Sequence, residues 1–187
     1  MRKIVMVMAP FVMLACAQAT QTSGDESVDV TRTRARDEGN LDVDVLSQRV
    51  AYAHSIMRSP DDVWNAMKDV YQRLGFPISR FDPTTRSIAA DGFPVRRRLG
   101  GQPVSRYVDC GRTVAGPNAD TYTVWLRVAT TVVPMDSGSV SLKTEVSGSA
   151  ADPSMGPGGA SRVLCTSLGT LEERIATAAR EALLGTE

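Results

Sequence analysis

Residues 122–146 constrain this chain more than any other stretch. Tyr122, Val124, Leu126, Val128 and Val132 fall on one side of an alternating run. A turn at Pro134-Met135-Asp136-Ser137-Gly138 follows, and then Val140, Leu142, Thr144 and Val146 alternate with Ser141, Lys143 and Glu145. A period of two in both arms predicts an antiparallel hairpin with one apolar face and one wet face. The apolar face has to be covered by something else in the chain.

Two amphipathic helices can cover it. The first is expected over residues 60–74, with Ser59 as N-cap, Pro60 in the first turn, and Asp61 and Asp62 at the positive end of the helix dipole. Val63, Met67, Val70 and Leu74 form its buried stripe, broadened by Trp64 and Tyr71, and Gly75 stops it so that Phe76 folds back. The second starts at Thr170, with Glu173 completing a capping box, and buries Leu171, Ile175, Ala178, Ala182 and Leu183 before Gly185. The acid pairs Asp61/Asp62 and Glu172/Glu173 are both read as first-turn caps.

Shorter strands are expected around these. Residues 41–45 alternate and pair with residues 28–35 through Glu38-Gly39-Asn40, which would set Arg32, Arg34 and Arg36 across from Asp42 and Asp44. Residues 49–57 form a strand with Val50, Tyr52, His54 and Ile56 on one face. Residues 77–81 and 86–90 flank a turn at Asp82-Pro83-Thr84-Thr85. Residues 105–109 form a short strand ending at Cys110, and residues 149–159 a Gly/Pro loop. The fold class is therefore α+β: an antiparallel sheet with two helices packed on one face, in one domain over residues 28–187.

The N-terminus carries an address. Arg2 and Lys3 precede an apolar run of 11 residues, Ile4 to Leu14, and then the small residues Ala15, Cys16, Ala17 and Ala19. That is the layout of a signal peptide over residues 1–19. The run is shorter than the ~20 residues that span a bilayer. Met13-Leu14-Ala15-Cys16 resembles the bacterial lipobox, which implies lipidation of Cys16 as the mature N-terminus, although the family prefers Leu where Met13 stands. Cleavage after Ala17 or Ala19, giving a soluble periplasmic form, is the other reading. Residues 17–27 are polar and acidic and read as a flexible tether.

Either cleavage leaves Cys110 and Cys165 as the domain's thiols. In an oxidising compartment two cysteines read as one disulfide, with two separately buried thiols as the alternative.

Composition excludes several functions. Lys+Arg and Asp+Glu are 21 each, so the basic excess of a nucleic-acid-binding domain is missing. Aromatic residues are 5% of the chain, too few for a stacking platform. His54 is the one histidine and no Cys-x-x-Cys spacing occurs, so no metal, cofactor or Cys–His catalytic pair is expected. His54 reads as a structural residue on the Tyr52/Ile56 face. Arg96-Arg97-Arg98, before Leu99-Gly100-Gly101, is the one local charge run. It reads as a solvated hairpin tip, or as a patch for an anionic partner, either lipid phosphate or an acidic protein.

The segment Ser-Pro-Asp-Asp-Val-Trp-Asn-Ala-Met at residues 59–67, then Leu-Gly-Phe-Pro-Ile and Asp-Pro-Thr-Thr-Arg-Ser-Ile, together with the closing helix, resembles the helix-grip domains of bacterial envelope lipoproteins. The accessory lipoprotein C of the outer-membrane β-barrel assembly machinery is the named example. The strand followed by Ser-Pro-Asp-Asp-Val-Trp also looks like the opening of START-like ligand-binding domains. The disulfide belongs to neither pattern. Fold likeness by itself transfers no function and no functional residue. With the envelope address, the function expected is a non-enzymatic interaction or scaffolding module at the outer membrane, facing the periplasm, with an envelope protein as partner. Its alternative is a periplasmic carrier with a small apolar ligand in a helix-grip cavity.

The anchor has a direct test. Cys16→Ala is expected to release the protein from the membrane fraction. Unchanged membrane fractionation of that variant would remove the lipid anchor from the account.

Overall fold

The structure, a computed structural model, describes residues 25–36, 42–136, 138–154 and 162–185. The leader read over residues 1–19, Cys16 included, and the tether up to residue 24 lie outside the described residues.

The chain runs through β1 (Asp25–Arg36), β2 (Asp42–Ile56), α1 (Pro60–Arg73), β3 (Arg80–Asp82), β4 (Ser87–Arg96), β5 (Arg98–Leu99) and β6 (Gln102–Pro103). A 3-10 turn at Val104–Arg106 leads into β7 (Val108–Asp109), β8 (Arg112–Thr113), β9 (Gly116–Pro117) and the short α2 (Asn118–Thr121). β10 (Thr123–Pro134), β11 (Val140–Ala151), β12 (Val163–Ser167) and α3 (Thr170–Leu184) complete it. The main sheet is antiparallel, in the order β1-β2-β11-β10-β4-β3, with β12 beside β11 and β7 beside β12.

The hairpin expected from the alternation is the centre of this sheet. β10 pairs with β11 from Thr123 opposite Ala151 to Pro134 opposite Val140. Burial along β10 alternates strictly, with Val124, Leu126, Val128, Thr130 and Val132 inward. The register extends that face sideways: Val132, Leu142 and His54 form one row, and Ile88, Thr130, Thr144 and Tyr52 the next.

Both longer helices lie on this inward face. α1 is held to it by Tyr71, whose hydroxyl donates to the Ile88 carbonyl and to Thr130 Oγ1 at 3.2 and 2.9 Å. α3 lies against β2, β11 and α1. Ser59 caps α1 as its sequence predicts, accepting from Asp62 N at 3.2 Å. Phe76 returns onto Tyr71 with its amide on the Tyr71 carbonyl and the rings edge to face at 5.4 Å. Trp64 is buried and stacks on Phe81 at 4.3 Å.

Several expectations change. The two strands read over residues 41–45 and 49–57 are one 15-residue strand, β2. β1 begins at Asp25, inside the segment read as tether, and its register sets Arg34 opposite Asp44 and Arg36 opposite Asp42. β3 holds three residues where residues 77–81 were expected, and β4 runs on to Arg96 instead of ending at Ala90. It does so through a bulge: Asp91 and Gly92 together face Arg127, between the pairs Phe93–Leu126 and Ala90–Val128. Asp91 secures the bulge by accepting from Arg80 and Ser79 at 3.1 and 2.9 Å and by an ion pair with Arg127 at 3.0 Å. The strand expected over residues 105–109 is mostly 3-10 turn, with only Val108 and Asp109 extended. β11 continues to Ala151, into the expected loop.

β12 has no counterpart among the strands expected from sequence. β2 occupies the edge of β11 only from Val140 to Glu145. Beyond that point β12 takes its place, with Cys165 opposite Gly148 and Leu164 opposite Ser149. This puts Cys165 on the inward face, bonded to Cys110 with Cα atoms 4.2 Å apart. The disulfide closes a separation of 55 residues. It ties the short segment after β7 to the sheet that α3 covers.

Constraining a loop of that length removes unfolded-state entropy equivalent to about 4 kcal/mol, before native strain is subtracted. The double variant Cys110→Ala/Cys165→Ala is expected to lose stability on that scale in urea unfolding. Two thiols that react freely with a labelling reagent in the native exported protein would contradict the bond.

Candidate functional site

α3 begins from Gly169, not from a capping box. Gly169 is in the left-handed conformation at φ 78°, and its carbonyl accepts from Glu173 N at 3.0 Å. A Cβ there would stand 2.8 Å from the Tyr52 ring, so glycine is required by space as well as by φ. The Thr170 hydroxyl donates instead to the Arg106 carbonyl, fastening the helix start to the 3-10 turn. Ala176 and Ala179 are fully buried where Ala178 was expected, and Ala178 is only partly so.

Glu172 also departs from its expected role. It is completely buried, and Ser167 at the end of β12 donates to its Oε1 at 2.5 Å. Its Oε2 has no hydrogen-bond partner among the described residues. Burial raises its pKa to about 7, against the smaller opposing effect of the Ser167 hydrogen bond. His54 is on the inward face as expected, with Nε2 unpartnered among the described residues. Desolvation lowers its pKa, reinforced by Arg180 and opposed by Glu173. No group of three His, Cys, Asp or Glu side chains among the described residues is arranged to hold a metal ion.

The arginine run lies at the end of β4. Arg96, Arg97 and Arg98 are all exposed, and Arg98 opens the small β5–β6 hairpin, where it donates to the Gly101 carbonyl at 2.8 Å. Two surface grooves lie elsewhere on the domain. One, of about 440 Å³, runs between α3 and this hairpin, lined by Gln102, Arg106, Tyr107, Glu173, Arg174 and Thr177 among others. Arg174 spans it, donating to the Tyr107 hydroxyl and, at 3.2 Å, to the Gly100 carbonyl. The other, of about 460 Å³, lies between α1 and the end of α3, lined by Arg58, Asp62, Asn65, Asp69, Ala182 and Leu183. Arg106 and Arg174 were not singled out in the sequence, because only the fold brings them to residues 98–102.

No protein-family model and no curated protein sequence matches this chain. Among solved structures, norcoclaurine synthase from Thalictrum flavum, in complex with dopamine and hydroxybenzaldehyde, is similar over 96% of this chain and 99% of that one. The sequence identity is 12% and the TM-score 0.40, a likeness too loose to carry an argument.

Glu172 generates a pH prediction. A carboxyl whose pKa is raised by folding holds its proton more tightly in the native state, so stability falls as pH rises from its unfolded pKa near 4.5 through about 7. His54, with a lowered pKa, acts oppositely and loses stability as pH falls below about 6.5. Glu172→Gln keeps an acceptor for Ser167 and removes the charge. The variant is expected to match the native protein below pH 4.5 and to exceed its stability by roughly 3 kcal/mol at pH 8. Equal denaturant midpoints for the two proteins across that range would show that Glu172 ionises without cost.

Proposed function

We propose that this chain is a non-enzymatic interaction module of helix-grip type, tethered to the cell envelope through Cys16 and binding a protein partner at its surface. One observation carries the reading: the space a helix-grip carrier keeps for its ligand is filled by side chains. Met67 and Tyr71 of α1, Leu126 and Leu142 of the sheet, and Leu171 and Ile175 of α3 are each under 2% exposed and belong to one cluster. Ala176 and Ala179 on the buried side of α3 let the helix lie close to β2 and β11. A small-molecule pocket takes roughly 300–1,000 Å³ of mostly apolar, enclosed space. Two grooves on that scale among the described residues are open and carry charged side chains instead.

His54 supports the non-enzymatic part. Its ring sits in a row between strands, beside Leu142. The charged groups acting on it are Arg180 and Glu173 of α3, and burial favours its neutral form, as in a packed structural histidine. The envelope address rests on the N-terminal sequence: a basic start, a short apolar run, Cys16 and a polar tether.

Native mass spectrometry of tagged protein, extracted gently from the cell envelope, tests the whole reading. A lipidated N-terminus and a stoichiometric protein partner, with no small apolar mass, are expected. A monomer carrying one small apolar molecule would make this a carrier.

A further inference from the structure

The groove between α3 and the β5–β6 hairpin is built around arginines that lack carboxylate partners. Arg174 is fixed at both ends of its guanidinium, by the Tyr107 hydroxyl and by the Gly100 carbonyl. Gly100 makes this possible, since its φ is 55° and a Cβ there would stand 2.7 Å from Arg174 Nη2. Arg98 binds the next carbonyl, Gly101, so two guanidinium groups sit on one two-residue turn. Arg106 lines the same groove, with its backbone carbonyl taken by Thr170 and its side chain left to solvent. Neither Arg106 nor Arg174 forms an ion pair among the described residues. Glu173 is the carboxylate that lines the groove with them. Asp120 and Asp109, close in sequence to Arg106, are engaged with local donors: Asp120 accepts from Ser105 N and Oγ at 2.9 and 2.6 Å, and Asp109 from Gly111 N at 2.8 Å. Gathering like charges in this way opposes folding. An anion in the groove offsets that repulsion.

We infer that this groove receives an acidic segment of a protein partner, one carboxylate bridging Arg106 and Arg174 while Glu173, Gln102 and Thr177 bond the segment's backbone. The inference rests on the interaction reading above and names the chemistry of the partner. Two features select a peptide over a phosphate group. Glu173 is in the same groove and offsets one of the charges of Arg106 and Arg174, which suits single carboxylates spaced along a segment better than one concentrated dianion. Glu173 and Gln102 also offer acceptors, which the successive N–H groups of a peptide satisfy and a compact phosphate, with a single O–H as a dianion, does not. Arg96 and Arg97, exposed beside the hairpin, add the long-range field that draws an acidic partner in.

The test uses the full chain and fluorescence anisotropy of a labelled peptide in which Asp residues alternate with Ser and Gly. The comparison probes are the same peptide with Asn for Asp, inorganic phosphate, and vesicles containing phosphatidylglycerol. The Asp peptide is expected to bind saturably and more weakly as salt is raised, and the Asn peptide to fail. Phosphate is not expected to compete at equal concentration. Arg106→Gln removes an exposed side chain and is expected to weaken the Asp peptide about tenfold, the scale of one lost charge-assisted contact, with unchanged thermal unfolding. Arg106→Lys should recover part of the loss. No saturable binding of the Asp peptide, or binding indifferent to Arg106→Gln, overturns the proposal. So does Arg106-dependent binding to the vesicles in place of the peptide. A native partner that cross-links outside the groove and is retained by Arg106→Gln would overturn the groove assignment while leaving the interaction module standing. A small apolar mass in the core would remove the interaction module itself.

Discussion

The hydroxyl of Tyr71 is buried completely and still makes two hydrogen bonds, to the Ile88 carbonyl and to Thr130 Oγ1. Thr130 in turn shares a hydrogen bond with Thr144 at 3.1 Å. One phenol thereby links α1 to β4 and β10, and through them to β11. The Tyr71 pKa is raised by burial, so the group stays a neutral donor at any ordinary pH. A buried polar chain of this kind is stabilising only when each member finds a partner. It specifies a single position for α1, which apolar contact alone, being non-directional, does not. Phe76 and Phe93 pack against the helix held in that position, with Met67 of α1 in the same cluster.

The second helix depends on a different kind of constraint. α3 has to pass close to Tyr52, start sharply after β12 and bring Glu172 under cover. Gly169 gives the sharp start, and the Thr170 hydroxyl fastens it to the 3-10 turn. The disulfide holds β12 two residues before Ser167, whose hydroxyl donates to Glu172. A fully buried carboxyl is an expensive arrangement when ionised, and Glu172 answers by shifting its titration toward neutrality. The covalent bond and the acidic residue therefore belong to the same corner of the fold.

Function, on this view, lies outside the core. With large side chains packed on the inward face of the sheet, the proposed recognition uses the surface, where the charged side chains remain. The β5–β6 hairpin and the start of α3 are far apart in sequence, Gly100 and Arg174 being 74 positions apart, and they meet where Arg174 donates to the Gly100 carbonyl. The resulting groove has fixed guanidinium geometry, which is what directional recognition of a carboxylate requires.

Local pattern was enough for the features that depend on local physics. The alternation of residues 122–146 specified the central hairpin, because a period of two leaves only one way to bury one face. Ser59, Pro60 and the stripe from Val63 to Tyr71 specified α1, because capping and helical spacing act within a few residues. With Cys16 assigned to the leader, Cys110 and Cys165 pointed to one bond over two separate thiols, because an oxidising compartment favours pairing. Elsewhere the tertiary structure decided. The five residues of β12 carry no clear periodicity, and they become a strand only because β2 leaves the edge of β11 open beyond Glu145. β4 outran its expected end because a bulge at Asp91-Gly92, secured by Arg80 and Arg127, lets the strand resume. Glu172 and Glu173 are indistinguishable as neighbours in a first turn, yet one faces the sheet and the other a groove. Arg174 became part of a site because Gly100 leaves room for it. Periodicity and capping are short-range and can be read along a chain, whereas edge occupancy, burial of a given carboxyl and the meeting of distant arginines are set by which surfaces the folded chain brings together.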